Sequence, residues 1–392
     1  MALTTVRLAV VGAGPVGLAL ASHAALVLPH VSITLFDARP LDRDVSQDAR
    51  TLALALGSVQ LLQRLGAWPE DAAESIREVH VSQVAPSWRG GEVNLSAREL
   101  GVARLGAVLP YGALVQCLQS RWLALANTAP QRLRTSFGTA VTAVDNAAGG
   151  VLIDAGIHEP FDLAVIAEGG VFAEQSRKRL HRDYGQTAWV GSVTRAGAAP
   201  GVAIERFTRA GPLALLPLRD AADGTQRAAI VWCVGSADDP VRQLDDAQRL
   251  AVLRSLLPAP AGQLLSLSPL KPFALGLNAE RRLVQGRTVR IGNAAQTLHP
   301  VAGQGLNLGL RDAMALVARL RFASDVDAAL SQLEWARGVD RIGTLLGTDF
   351  LARSFTWRVP LLGTARGAAL ATLQSTGPAK NWLARRMMFG AR

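Results

Sequence analysis

Residues 7–37 constrain the fold more than any other stretch of this chain. Residues 7–11 (R-L-A-V-V) read as a short apolar strand, and Gly12-Ala13-Gly14-Pro15-Val16-Gly17 follows at once. Residues 15–28 read as a helix, and a second apolar strand over 32–36 ends in Asp37, 20 residues after Gly17. A strand, a G-x-G-x-x-G turn, a helix, a strand and a closing acid form the context a dinucleotide fingerprint requires. Gly12 allows the tight turn, Gly14 lets the backbone approach a pyrophosphate, and Gly17 lets the helix pack on the strand. The helix then presents free N–H groups and the positive end of its dipole to the phosphates. The Asp37 carboxylate is placed to accept hydrogen bonds from ribose hydroxyls.

Residues 8–28 carry no formal charge, as a membrane span or signal peptide would. Three glycines and a proline within six residues mark a turn and argue against both. A chain of 392 residues buries a large core and is expected to form two domains. Two cysteines, Cys117 and Cys233, are too few for a disulfide framework, and no metal-ligand spacing occurs, so a cytoplasmic protein is expected. The net charge of +10 comes partly from the C-terminal region, where Arg385, Arg386 and Arg392 interleave with Trp382, Leu383, Met387, Met388 and Phe389. Two readings fit that pattern: a helix packed on the protein body, or a basic amphipathic helix touching the inner face of an anionic membrane. No nucleic-acid motif accompanies the charge, and nucleic-acid binding is not expected.

Further along, residues 140–144 are strand-like, and 162–167 (D-L-A-V-I-A) read as a buried strand ending in Glu168-Gly169-Gly170. Short apolar runs at 188–193, 203–207, 213–217 and 228–234 make residues 185–280 β-rich, and 288–291 resembles a return to the first sheet. The Ala/Gly/Pro stretch 196–201 is the nearest thing to a linker. The expected fold class is therefore α/β: a discontinuous Rossmann-like nucleotide-binding domain (1–80, 101–184, 281–340), an inserted β-sheet substrate domain (81–100, 185–280) and C-terminal helices (341–392).

A second glycine run spans Gly292 to Asp312, I-G-N-A-A-Q-T-L-H-P-V-A-G-Q-G-L-N-L-G-L-R-D when read from Ile291. A strand ends at Gly292-Asn293, a loop follows, and a helix begins near Gln304. Gly303-Gln304-Gly305 at that helix start offers backbone N–H groups and a dipole to an anionic atom, as a reduced flavin presents at its N1–C2=O edge. Asn293 suits polyol hydroxyls. The alternative is a glycine-rich turn capping a core helix.

The two runs together resemble the flavoprotein aromatic hydroxylases of the p-hydroxybenzoate hydroxylase type, in particular their ubiquinone-biosynthesis branch, the 2-polyprenyl-6-methoxyphenol hydroxylases. That branch reads G-N-A-A-Q-x-x-H-P-x-x-G-Q-G-x-N-x-G-x-x-D, which matches Gly292 to Asp312. Asp48-Ala49-Arg50 is similar to the family's D-x-R, and Glu205-Arg206-Phe207-Thr208 with Gly211-Pro212-Leu213-Ala214 also looks like that branch. The resemblance runs over essentially the whole chain. It implies FAD as cofactor, NADH or NADPH as reductant, O2 as co-substrate and a polyprenylated phenol as substrate, within reach of other ubiquinone-biosynthesis proteins. It implies cofactor contacts at Gly12, Ala13, Gly14, Pro15, Val16, Gly17, Asp37, Ala38, Arg39, Arg50, Val141 and Gly169. In the second run it implies contacts at Gly292, Asn293, Pro300, Gly303, Gln304, Gly305, Leu306 and Asn307.

Arg206, Trp232 and Pro300 are the candidates for the substrate pocket. No catalytic residue is nominated, because the chemistry belongs mainly to the cofactor. His299 reads as a loop histidine making one structural hydrogen bond. The chain departs from the family twice. Asn293 stands where most members have Asp, which keeps an acceptor oxygen. The middle motif D-G-x-x-S-x-x-R is eroded to Glu168-Gly169-Gly170-Val171-Phe172-Ala173-Glu174-Gln175, which puts the nicotinamide mode in question. Two other readings therefore stand beside the hydroxylase: a flavin oxidoreductase that inserts no oxygen, and an inactive flavin-binding scaffold.

Overall fold

The computed structural model describes residues 5–48, 50–84, 91–169, 175–354 and 362–390. Its first layer is a six-stranded sheet. In spatial order the strands are Val284–Gln285, Thr288–Arg290, Leu163–Ile166, Val6–Val11, Val31–Asp37 and Leu133–Phe137. All pairings are parallel except the first. Parallel strands buried on both faces read as continuous apolar runs, as these do. On one face Leu8, Val10, Ile33 and Leu35 pack against helices α1 (Pro15–Val27), α2 (Leu56–Leu65) and α3 (Tyr111–Thr128). On the other, Ala9, Phe36 and Ala164 meet an antiparallel meander of Ala143–Ala147, Gly150–Asp154 and His158–Phe161. The strand expected at 140–144 belongs to that meander, displaced by three residues.

The second layer is a nine-stranded sheet. Its order is Gln296–Thr297, Lys271–Ala279, Leu180–Ala196, Gln226–Gly235, Pro212–Leu218, Val202–Phe207, Glu78–Gln83 and Glu92–Ser96, with Gln263–Leu267 paired to the Leu180–Ala196 strand. Residues 188–193 are the middle of the 17-residue strand Leu180–Ala196. The 196–201 stretch is a tight loop rather than a linker: Gly197 (φ 70°) and Gly201 (φ 74°) turn the chain within it. One face of this sheet is covered by helix α4 (Asp246–Leu256), which starts in a capping box between Asp245 and Gln248.

Helices α5 (Gln304–Phe322) and α6 (Val326–Ser354) form an antiparallel pair, followed by α7 (Leu362–Ser375) and α8 (Gly377–Phe389). The first sheet draws its strands from 6–37, 133–137, 163–166 and 284–290, and the second from 78–96, 180–279 and 296–297. We propose the three-part domain division above on that grouping.

Candidate functional site

The first glycine run sits at the C-terminal end of the strand Val6–Val11, where ligands bind in open α/β sheets. Gly12 has φ 102°, and a Cβ there would lie 2.8 Å from the Glu168 nitrogen. A Cβ on Gly17 would lie 1.9 Å from the Gly12 carbonyl oxygen, so only glycine lets α1 approach the strand. Gly14 differs. It has φ −77°, and the nearest atom to its missing Cβ is Tyr111 Oη at 3.9 Å. The protein leaves room over Gly14, and no side chain caps α1. Its first-turn N–H groups therefore face that space as free donors.

Asp37 braces this loop. Its carboxylate accepts from the Ala13 N–H (2.5 Å) and the Arg39 N–H (2.7 Å). Arg39 donates to the Ala13 carbonyl and to Gln119 Oε1, while Ala38 is exposed. The loop before Val141 is tied to the same place, with the Gly138 N–H on the Arg39 carbonyl and the Thr139 N–H on the Asp37 carbonyl. Val141 itself packs on the Phe36–Phe161 cluster. The Arg50 guanidinium lies 4.2 Å over the Tyr111 ring and pairs with Asp48 at 2.6 Å, which brings a cation near Gly14. Burial, with the Asp37 charge behind it, pushes the Glu168 carboxyl above the ordinary carboxylate range.

The second run packs directly on the first. A Cβ on Gly292 (φ 59°) would meet Val16 at 3.2 Å, and one on Gly309 would meet the Gly292 Cα at 2.8 Å. Gly169 closes on Asn293 in the same way, its Cβ falling 2.6 Å from that of Asn293. Pro300 opens the turn Val301–Gly303, and Gly303, in the left-handed region at φ 59°, is the N-cap of α5 with no side-chain cap. Nothing lies within 4 Å of a Cβ placed on Gly305. Two uncapped helix N-termini, α1 and α5, thus open onto one side of the first sheet, brought together by glycines that admit no side chain. The Gln304 side chain takes a hydrogen bond from Arg311, and Leu306 packs on the main core.

Four residues singled out from the sequence, Asn307, His299, Arg206 and Trp232, acquire a different physical role. Asn307 is buried and its amide is fully used by protein. Its Oδ1 accepts from the Ala55 N–H and the Ser58 hydroxyl, and its Nδ2 donates to the Ala53 and Gly303 carbonyls. An amide has two acceptor and two donor positions, so the Asn307 side chain braces the loop. His299 is buried and makes two hydrogen bonds instead of one: its Nε2–H donates to Gln186 Oε1 at 2.9 Å and its Nδ1 accepts from the Val301 N–H at 3.1 Å. Burial lowers its pKa to about 4, which keeps the imidazole neutral and structural.

Arg206 and Trp232 face away from the second glycine run. Arg206 Nε donates to the Leu256 carbonyl of α4, and Trp232 lies in the core between the sheet and α4. Side chains alternate along a strand, so it is their neighbours that face the loop. Phe207 packs with Val81 and with Val301 of that loop. Cys233 and Val231 cluster with Ala188, Leu275 and Tyr184, whose ring is 5.5 Å from that of His299. Glu205 shares this face. The sequence reading also missed Lys178, whose ammonium donates to the Asn293 carbonyl at 2.6 Å and is lowered to about 8 by burial. Ala49 and the middle-motif residues 170–174 lie outside the described residues.

Two surface cavities, about 280 Å3 and 350 Å3, lie by Arg7 and Asp162, and by Thr5 and His30, near the opposite ends of the first-sheet strands. The glycine geometry, not cavity size, locates the site. Residues 181–334 match the FAD binding domain family. The chain is 28% identical to the 3-demethoxyubiquinol 3-hydroxylase of Escherichia coli, over 95% of this chain and 96% of that one. It is 33% identical to a ubiquinone hydroxylase, UbiL, of Rhodospirillum rubrum over 52% of this chain, a match spanning 48% of that relative. Klebsiella pneumoniae HpxO, solved with FAD and uric acid, superposes with a TM-score of 0.71 at 18% identity, over 98% of this chain and 96% of that one. The fold is that of the FAD-dependent aromatic hydroxylases, and the cofactor is FAD.

Proposed function

We propose that this flavoprotein is a monooxygenase that uses NADH or NADPH and O2 to hydroxylate the aromatic ring of a polyprenylated phenol in ubiquinone biosynthesis. The observation that carries the reading is the junction of two uncapped glycine helix starts, in a chain similar along its length to a 3-demethoxyubiquinol 3-hydroxylase. The residues fit FAD on steric grounds: the backbone is closed at Gly12 and Gly17 and open at Gly14 and Gly305. Gly12 to Gly17 and the first turn of α1 would hold the pyrophosphate. Asp37, Ala38 and Arg39 would hold the adenosine end, flanked by Val141 and Arg50. Gly169, Gly292, Asn293, Pro300 and Gly303 to Leu306 would hold the flavin end. When bound, FAD supplies electron transfer from NAD(P)H and activation of O2. The protein orients the phenol on the sheet face under the Val301 loop and shields it from water.

A lipid-tailed substrate suits a protein that touches membranes, and we place this one at the inner face of the cytoplasmic membrane. Helix α6 presents Trp335, Val339, Ile342, Leu346 and Phe350 to solvent, Trp335 with 86% of its surface exposed. Arg386 of α8 reaches Gly343 of α6 and stacks 5.5 Å from the exposed Trp382. An apolar face edged by arginines fits an anionic lipid surface. A second copy on that face would bring like charges together. No helix among the described residues is long and apolar enough to cross a membrane. Rather than lying free, α8 buries Lys380 in an ion pair with Glu99, so the contact belongs to α6 and Trp382 jointly. Trp335→Glu with Leu346→Glu should abolish co-flotation with phosphatidylglycerol vesicles, while Arg385→Glu with Arg386→Glu should weaken it and remove its salt dependence. Equal flotation of all variants would contradict the contact.

Cells lacking the gene test the proposed activity. They should accumulate a prenylated phenol one ring oxygen short of the next intermediate, and the wild-type gene should clear it. Normal quinone pools would overturn the proposal.

A further inference from the structure

Glu205 is a carboxyl on the loop-facing side of the second sheet with no part in the cofactor contacts described above. It lies in the strand Val202–Phe207, between Ala214 and Val81 on the neighbouring strands. Phe207, two residues on and on the same face, packs with Val81 against Val301. Its Oε1 is shut off from solvent and has no hydrogen-bond partner, and no other hydrogen bond or ion pair reaches the side chain from the described residues. A buried polar atom without a partner is destabilising, because the water it gave up is not replaced. A carboxyl left unpaired beneath the loop of the second glycine run points to a ligand that supplies the missing partner.

We infer that Glu205 receives the phenolic hydroxyl of the substrate, accepting its hydrogen bond and taking its proton as the ring is attacked. This rests on the hydroxylase reading above. The phenol O–H bond breaks, the proton goes to the Glu205 carboxylate, and the electron pair left on oxygen is delocalised into the ring. The ring carbon gains one oxygen atom from O2, with electrons from NAD(P)H, and the second oxygen leaves as water. That carbon then loses its own proton to solvent as aromaticity returns, and Glu205 gives the stored proton back to the phenolate oxygen. The carboxylate ends as it began.

The surroundings suit such an acceptor. Burial pushes the Glu205 carboxyl up to about 7, so it is a stronger base than an exposed carboxylate yet ionised in a useful fraction near neutral pH. Among the described residues, Cys233 is coupled to it, its thiol held neutral by burial and by Glu205 itself, and Tyr184, beside His299, packs on the same cluster. Arg206, on the α4 side of the same strand, and the His80–Glu92 pair beyond it lie on the other face.

The test uses FAD-loaded enzyme and a phenol bearing a short isoprenoid tail. Glu205→Gln should keep its FAD and melt no lower than wild type, since the amide removes a buried unpaired acid. It should lower kcat for hydroxylation about 100-fold, the lower range of general-base effects. Wild-type kcat/KM should fall as pH drops through about 7, and the variant should lack that limb. Glu205→Leu should also stay folded, and the phenol should then perturb the flavin absorption only at much higher concentration. Unchanged kcat/KM and an unchanged acid limb in Glu205→Gln would overturn the inference. A wild-type enzyme that hydroxylates no prenylated phenol would instead overturn the function on which the inference rests.

Discussion

Gly14→Val is expected to abolish FAD binding while leaving the protein folded. The backbone at Gly14 lies in the extended region (φ −77°, ψ −178°), which any L-residue adopts, and the missing Cβ has nothing nearer than Tyr111 Oη at 3.9 Å. The protein itself has no reason to exclude a side chain there. Only a ligand lying on the N-terminus of α1 would. A clash worth about 3 kcal/mol lowers affinity about 100-fold. The purified variant should be colourless, with wild-type circular dichroism, and should not recover flavin absorbance on dialysis against FAD. Gly17→Ala is the structural control: its Cβ would fall 1.9 Å from the Gly12 carbonyl oxygen, so it should fail to fold whether or not FAD is present. Tight FAD binding by Gly14→Val would move the cofactor away from this loop.

The second large effect concerns stability. Asp312, the last residue of the second glycine run, is buried on α5. Arg337 of α6 donates to its Oδ1 at 2.7 Å, and Gln296 Nε2 to its Oδ2 at 3.1 Å. Arg337 also reaches Asp340 at 2.8 Å, and Arg341 donates to Gln296 Oε1 at 2.6 Å. The cluster ties the strand Gln296–Thr297, α5 and α6 together beneath the loop that carries His299. Removing one partner of a buried ion pair costs about 3–5 kcal/mol, because the other charge stays buried. Asp312→Ala should lower the free energy of unfolding in urea by that amount without changing FAD stoichiometry in the folded fraction. A loss below about 1 kcal/mol would show that Asp340 and water compensate for Arg337.

The nucleotide half of the site was legible because its chemistry is backbone chemistry. Glycines at fixed spacing after an apolar strand encode a turn and an exposed helix start, and Asp37 closes the pattern within 20 residues of Gly17. The second run was legible for the same reason. Which way a strand's side chains face was not. Residues 228–234 read A-A-I-V-W-C-V, a run with no polar alternation, so nothing local tells Trp232 from Cys233. At Glu205-Arg206 the visible cation drew the assignment. The register that turns Arg206 toward α4 and Glu205 toward the loop is set by pairing with Val81 and Ser82, more than a hundred residues earlier. Asn307 and His299 were obscure in the same way: their partners at 53–58 and 186 decide that they brace the loop. The apolar stripe of α6 can be counted along its helix, but only packing shows that it is exposed among the described residues.

The most direct test of the account is isotopic. Wild-type enzyme loaded with FAD, supplied with NADH or NADPH and a prenylated phenol under 18O2, should release a product carrying one 18O atom on the ring, and none when the label is in water instead. Oxidised or reduced product without ring label, or NAD(P)H consumed with no change in the phenol, would contradict it and leave a flavoprotein that moves electrons without inserting oxygen.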